Sequence, residues 1–165
     1  MLRRASANAI MHRMEIVYLD EAPDAVEILA AAFWTEWGRQ DGLTLAEVTD
    51  RVTACLQRDA LPLALVAREG AAVLGTVGLR QDAIASGPAP GPWLAALWVD
   101  PAHRGRGLGA GLIAAAERAA AELGLTDLYA STSTAVGLFQ RAGWTELEGF
   151  DHAGERLSLF HRRTR

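Results

Sequence analysis
Cysteine is nearly absent: Cys55 stands alone in a chain of 165 residues. That excludes an internal disulfide and a thiolate metal cluster. Long apolar runs are missing as well, and no stretch approaches the roughly 20 residues needed to cross a bilayer. The N-terminus is basic but has no apolar signal-peptide core. Cationic excess is lacking too, since 16 Lys and Arg face 20 Asp and Glu for a net charge of −4. Such a balance leaves no basic footprint for nucleic acid. His103, His152 and His161 show no metal-ligand spacing with one another or with Cys55. There are no repeats and no low-complexity tract. The expectation is a soluble, cytoplasmic protein with no metal, no membrane segment and no nucleic-acid partner.

What is present is ordinary for a globular chain: half the residues are hydrophobic and 22% are charged. The length suits one domain with a substantial core. Residues 1–13 read as a flexible extension and 14–165 as the domain; Met1, Met11 and Met14 are equal candidates for the start. Glu15–Leu19 reads as a strand. Pro23 opens a helix with Val26, Leu29, Phe33 and Trp37 on one face, ending near Gly38. After a polar loop at Gln40–Gly42, Thr44 and Glu47 form a capping box for a second helix presenting Leu45, Val48, Val52 and Leu56. Leu63–Arg68 and Ala71–Leu79 flank the Glu69-Gly70 turn as a hairpin. Asp82–Pro92 is a Pro, Gly, Ser and Ala loop of a length that is usually functional or disordered.

In the second half, Gly124 ends a helix. Leu125–Ser131 is a strand, and Ala135–Ala142 is a short helix closed by Gly143, with Ser133 and Thr134 read as its capping hydroxyls. Trp144–Leu147 and Glu155–His161 are the last strands. The cluster His161-Arg162-Arg163-Arg165 is expected to be a frayed tail. Strands meeting near a central switch, with helices on both faces, make a mixed α/β domain.

The chemistry concentrates in residues 93–113. Trp93–Val99 reads as a buried strand that stops at Asp100-Pro101. A glycine-dense, cationic turn follows from His103 to Gly109, with His103 read as a solvated turn residue. Then comes a helix with Leu108, Leu112, Ala115, Ala116, Ala119 and Leu123 on one face. Glycines allow close backbone approach, and the first amides of a helix have no internal partners. With the positive helix end and with Arg104 and Arg106, they make a site suited to pyrophosphate. The segment Gly105 to Ala110 satisfies the dinucleotide pattern GxGxxG/A, yet the glycines do not follow the strand at once, and Asp127 begins the next strand rather than ending it. A nucleotide P-loop is excluded because no Lys follows the glycines. The bland alternative is a glycine turn with solvated arginines.

Arg104-Gly105-Arg106-Gly107-Leu108-Gly109, preceded by Leu-Trp-Val-Asp-Pro, resembles motif A of the GCN5-related N-acetyltransferases (GNAT), Arg/Gln-x-x-Gly-x-Gly/Ala after a strand. Leu138-Phe139-Gln140-Arg141-Ala142-Gly143-Trp144 resembles that family's Leu-Tyr-x-x-x-Gly-Phe segment. The order of elements matches from about Glu15 to Phe160. This resemblance implies a single-domain α/β fold whose mixed, mostly antiparallel sheet is flanked by helices. A splayed parallel strand pair would bind CoA. It implies acetyl-CoA as co-substrate, no metal, direct attack by a primary amine of a small-molecule acceptor and, since family members are often dimers, a homodimer.

Carried over by position, the amides of Gly105, Gly107, Gly109 and Ala110 would hold the pyrophosphate beside Arg104 and Arg106. Backbone groups of Val99 would pair with the pantetheine arm, and the Leu97 amide would face the acetyl carbonyl. The tyrosine that protonates the departing thiolate in much of the family is Phe139 here, which has no proton to give. Tyr129 is the alternative acid, with a buried structural tyrosine as its competing reading. For the base, Glu36, Asp41 and Asp82 are candidates against a background of solvated surface charge, and Asp82 is preferred because it follows a strand end. Trp34, Glu36 and Trp98 could wall an acceptor pocket, with cation–π contacts to an ammonium, although tryptophans at such spacing are more often core. The net charge fits a cationic acceptor. Phe139 favours a rival, a non-catalytic module that holds acyl-CoA. A nucleotide-binding oxidoreductase is third.

Overall fold
Turns fix the strand pairing of this chain, and one crossover breaks the pattern. The structure, a computed structural model, describes residues 13–82 and 88–165. Along the chain lie β1 (Met14–Tyr18), α1 (Ala25–Phe33), α2 (Leu45–Thr53), β2 (Leu63–Glu69), β3 (Ala72–Arg80) and β4 (Trp93–Val99). Then follow α3 (Leu108–Glu122), β5 (Asp127–Thr132), α4 (Val136–Arg141), β6 (Thr145–His152) and β7 (Glu155–Arg163). Gly70, in the left-handed region at φ 60°, closes the β2–β3 hairpin, and Ala153-Gly154, at φ 49° and 79°, close β6–β7. Parallel neighbours need a long crossover, and α3 supplies it between β4 and β5. The result is a seven-stranded sheet in the order β1-β2-β3-β4-β5-β7-β6, antiparallel except for β4–β5. This is the mixed, helix-flanked α/β fold expected.

Alternation along β2 divides the apolar residues between two cores. Leu63, Leu65 and Ala67 join α3 and α4 on one face, while Ala64 and Val66 join α1 and α2 on the other. The first core takes Leu108, Leu112, Ala115, Ala116 and Ala119 from α3. Phe139 of α4 lies in it too, stacked on Phe160 at 5.4 Å and edge-on to Trp144 at 5.1 Å between ring centroids. The second core takes Val26, Leu29, Val48 and Val52.

Several expectations need correction. Trp37 and Leu45 are exposed, at 39% and 46%. The helix of α1 runs on as a π turn over Trp34–Gly38, and that wider turn carries Trp37 off the Val26–Leu29 face. Leu45 opens α2 ahead of the turn that packs. Strand β5 starts at Asp127, two residues later than read. The hydroxyl that shapes the turn into α4 belongs to Thr132, whose Oγ1 accepts from the amides of Thr134 and Ala135 at 3.2 and 2.9 Å. Neither Ser133 nor Thr134 caps the helix. The terminal arginines are not a frayed tail: β7 runs through Arg163, opposite Asp127, and the Thr164 amide donates to the Thr126 carbonyl at 3.0 Å. Charged residues hold a strand there because ion-pair partners face them. Strand β4 is buried only at Trp93 and Leu94, and Ala96 is exposed. The extension at residues 1–12 and loop residues 83–87 lie outside the described residues.

Candidate active site
Strands β4 and β5 share a single register pair, Trp93–Tyr129, and are not joined beyond it. A bulge in β4 accounts for the parting. Trp98 pairs with Thr76 and Ala95 with Gly78, so Ala96 and Leu97 together face Val77, with Ala96 at φ 52°. An extra residue of this kind bends its strand and increases the twist. The Asp100 amide donates to the Leu74 carbonyl at 2.8 Å. Its neighbour Val99, opposite Gly75, therefore occupies the non-hydrogen-bonded position, and its own N–H and C=O point away from β3 into the gap. Leu97, inside the bulge and two residues before Val99, is half-buried against the α3-side core. Gly75 keeps β3 close behind: a Cβ there would lie 2.7 Å from the Trp98 carbonyl oxygen.

The turn that follows is built to leave amides free. Asp100 accepts from the Ala102 amide at 3.0 Å and starts a 3-10 turn over Pro101–His103. Gly105 and Gly107 sit in the left-handed region at φ 80° and 78°, and a Cβ on either would meet nothing, so conformation rather than room demands glycine. The first amide at the head of α3 with an acceptor is that of Gly111, which donates to Gly107 at 3.1 Å. From Arg104 to Ala110 every backbone amide lacks a hydrogen-bond acceptor among the described residues. Arg106 is exposed and makes no ion pair among the described residues. Arg104 is engaged: its Nε donates to the Val99 carbonyl at 3.0 Å, and its Nη2 lies 3.5 Å from Glu36 Oε1. The His103 imidazole is half-buried, with Nδ1 shielded from solvent and without a partner among the described residues, so it is not the solvated turn residue expected.

Residues 23–144 match the Acetyltransferase (GNAT) family. The chain belongs to that family. No curated protein matches it in sequence. Among solved structures, an aminoglycoside 6'-N-acetyltransferase complexed with coenzyme A shares 14% identity at a TM-score of 0.74, over 92% of this chain and 97% of that one. A Salmonella typhimurium protein with its cofactor acetyl-CoA shares 18% identity at a TM-score of 0.68, over 93% and 95%. The acetyltransferase of GNAT family from Streptococcus pneumoniae shares 19% at 0.68, over 92% and 99%. At these identities the likeness is one of fold.

In this GNAT chain the sequence-predicted residues are only partly brought together. Val99, Arg104 and Glu36 meet at the open end of the gap. Trp34 and Trp98 are half-buried and pack against the α1–α2 core. Trp34 donates its Nε1–H to the Leu43 carbonyl at 3.0 Å and carries Arg39 over its ring at 5.1 Å. Tyr129 stands at the closed end, its ring 6.0 Å from Trp93 and 5.0 Å from His161. Asp82 is exposed and lies two residues past Arg80, which pairs with Trp93. That is the start of β4, about 13 Å of strand from the Leu97 level. Phe139 is 3% exposed and faces the core. The sequence reading missed the Arg104–Glu36 contact and the Asp127–His161 pair, at 2.7 Å. It also missed the Ala96 bulge, for which an apolar run carries no signal. Among the described residues no helix is long and apolar enough to cross a membrane, and no cluster of His, Cys, Asp or Glu has metal-holding geometry.

Proposed function
We propose that this GNAT chain transfers the acetyl group of acetyl-CoA to a primary amine of a small, cationic acceptor. The observation that carries the reading is the unbroken run of free amides from Arg104 to Ala110, opening beside the unpaired backbone edge of Val99. Amides of Gly105, Gly107, Gly109 and Ala110 suit a pyrophosphate, and Arg106 adds an uncommitted positive charge. Val99 suits the amides of the pantetheine arm, as an added half-strand. The amine nitrogen attacks the thioester carbonyl, the N–C bond forms, the C–S bond breaks, and the nitrogen gives its proton to water or a carboxylate. The Leu97 amide is the donor assigned to the carbonyl oxygen as charge develops. A thiolate is a fair leaving group, since thiols titrate near about 8.5, so Phe139 at the family's tyrosine position does not forbid transfer. Tyr129 pairs with Trp93, at the same level as Asp82, and keeps the role of acid only if its replacement slows turnover; Glu36, with Trp34 and Trp98, is the group assigned to the acceptor. Asp82 keeps the role of base only if its removal slows turnover. The reading carries with it a cytoplasmic setting and a homodimer.

One test is calorimetry with acetyl-CoA followed by thiol release with spermidine and kanamycin. Micromolar binding that weakens about tenfold in Arg106→Ala, the loss of one charge-assisted contact, supports the reading. No binding by the parent chain overturns it. Binding without thiol release from any amine would instead favour the acyl-CoA-holding module that Phe139, locked in the core, suggests. Asp82→Ala and Tyr129→Phe are assayed alongside, and turnover unchanged within twofold removes the residue from the mechanism.

A further inference from the structure
We infer that Arg104 is a shared cation that passes from Glu36 to the pyrophosphate, so that occupation of the CoA site exposes the carboxylate which receives the acceptor's ammonium. The inference rests on the acetyl-CoA reading above. Glu36 lies on the π turn at the end of α1, and Arg104 lies 68 positions away on the turn before α3. The two side chains meet across the open end of the gap, with Nη2 and Oε1 3.5 Å apart. Both groups that Arg104 contacts are ones the reading needs elsewhere. The Val99 carbonyl, 3.0 Å from Arg104 Nε, points into the gap, where the pantetheine arm would pair. Glu36 is the carboxylate assigned to the ammonium.

The pair is also weak enough to exchange. Its side chains are 53% and 41% exposed, and a solvent-exposed pair at this separation contributes little. The backbone amide of Arg104 opens the free run, so its guanidinium is already tethered to the phosphate site. A pyrophosphate carries at least two negative charges against one on Glu36, and it offers Arg the bidentate geometry that a single carboxylate oxygen at 3.5 Å does not. Once Arg104 turns to the phosphates, Glu36 loses the cation that neutralises it and becomes an ammonium site. A cationic acceptor is then bound well only after the co-substrate. Among the described residues, Arg39, held over Trp34 on the same turn, is the nearby cation with which an acceptor's ammonium would share this site.

The test is a double-mutant cycle read by acetyl-CoA calorimetry on the full chain, using Glu36→Gln, Arg104→Ala and the combination. Both residues are exposed, and melting curves confirm that each variant folds. Exchange predicts that Glu36→Gln tightens acetyl-CoA by about two- to fivefold in the parent chain and changes nothing in the Arg104→Ala background. An equal gain in both backgrounds would mean simple charge repulsion and overturns the inference, as does no gain at all. Parent binding with no cycle effect removes the exchange alone, whereas no parent binding removes the acetyl-CoA reading as well. For the acceptor half, whichever of spermidine and kanamycin releases thiol faster is used. A rise of tenfold or more in its KM for Glu36→Gln, with kcat changed less, is expected. An unchanged KM overturns the role of the released carboxylate.

Discussion

Cys55 is 6% exposed, and burial pushes its thiol above the ordinary range, so the reactive thiolate is scarce at neutral pH. A thiol reagent such as Ellman's should leave the folded chain essentially unlabelled over an hour and label it at once in denaturant. Rapid labelling of the native protein would contradict the packing against α2. At this scale the sequence was legible where a residue's constraint is local. Gly105 and Gly107 announce left-handed backbone by being glycine, and Phe139 announces a missing proton by being phenylalanine. Arg104 and Glu36 were each visible as charges, but nothing local links positions that far apart, and only the folded sheet brings them together. His103 misled for the same reason: a place in a glycine-rich turn suggests solvent, and only the fold shields its Nδ1.

Among the elements, α2 has the clearest start signal. The Thr44 amide donates to Glu47 Oε2 at 2.7 Å, and the Glu47 amide donates back to Thr44 Oγ1 at 3.2 Å. Thr44→Ala should cost about 1 kcal/mol in chemical unfolding, the usual value of an N-cap. In α3, Leu112 is fully buried against β2 and β3, and Leu112→Ala should cost about 2–5 kcal/mol, since the cavity left behind cannot collapse between rigid layers. A loss under 1 kcal/mol in that variant would show the core to be looser than described. Apolar periodicity revealed all four α-helices and the seven strands to within a few residues, because each presents one face to a core. It failed where an element departs from its own period, at the π turn after α1 and at the bulge in β4. It also shortened β6, an edge strand whose exposed Glu146, Leu147 and Glu148 give no clean alternation.

At the scale of the whole molecule, acid is the condition that should loosen the fold. The Arg58 guanidinium beside Asp20 holds that carboxyl below its usual range, at 2.8 and 2.5 Å. The His161 imidazole does the same for Asp127. The Thr44 amide and hydroxyl do so for Glu47. A carboxyl lowered in the folded state contributes its stability above the unfolded value, near about 4, and loses it as pH falls through the folded value. The urea midpoint should therefore hold steady between about pH 7 and 5 and drop below about 4, with a shallower drop in Asp20→Asn. An equally steep fall in that variant would assign the acid sensitivity elsewhere.

Removal of Ala96 shows how little separates a closed sheet from an open one. Leu94, Leu97 and Val99 face the α3 core while Trp98 faces the α1–α2 core, and taking out the one surplus residue leaves each on the face it already has. The shortened chain would then run as an unbroken ladder with β3 and lie flat enough to continue its pairing with β5 past Trp93. Such a deletion should melt no lower than the parent and yet lose its hold on acetyl-CoA. In that sense the opening is a vacancy in an otherwise satisfiable hydrogen-bond pattern, kept by a single alanine.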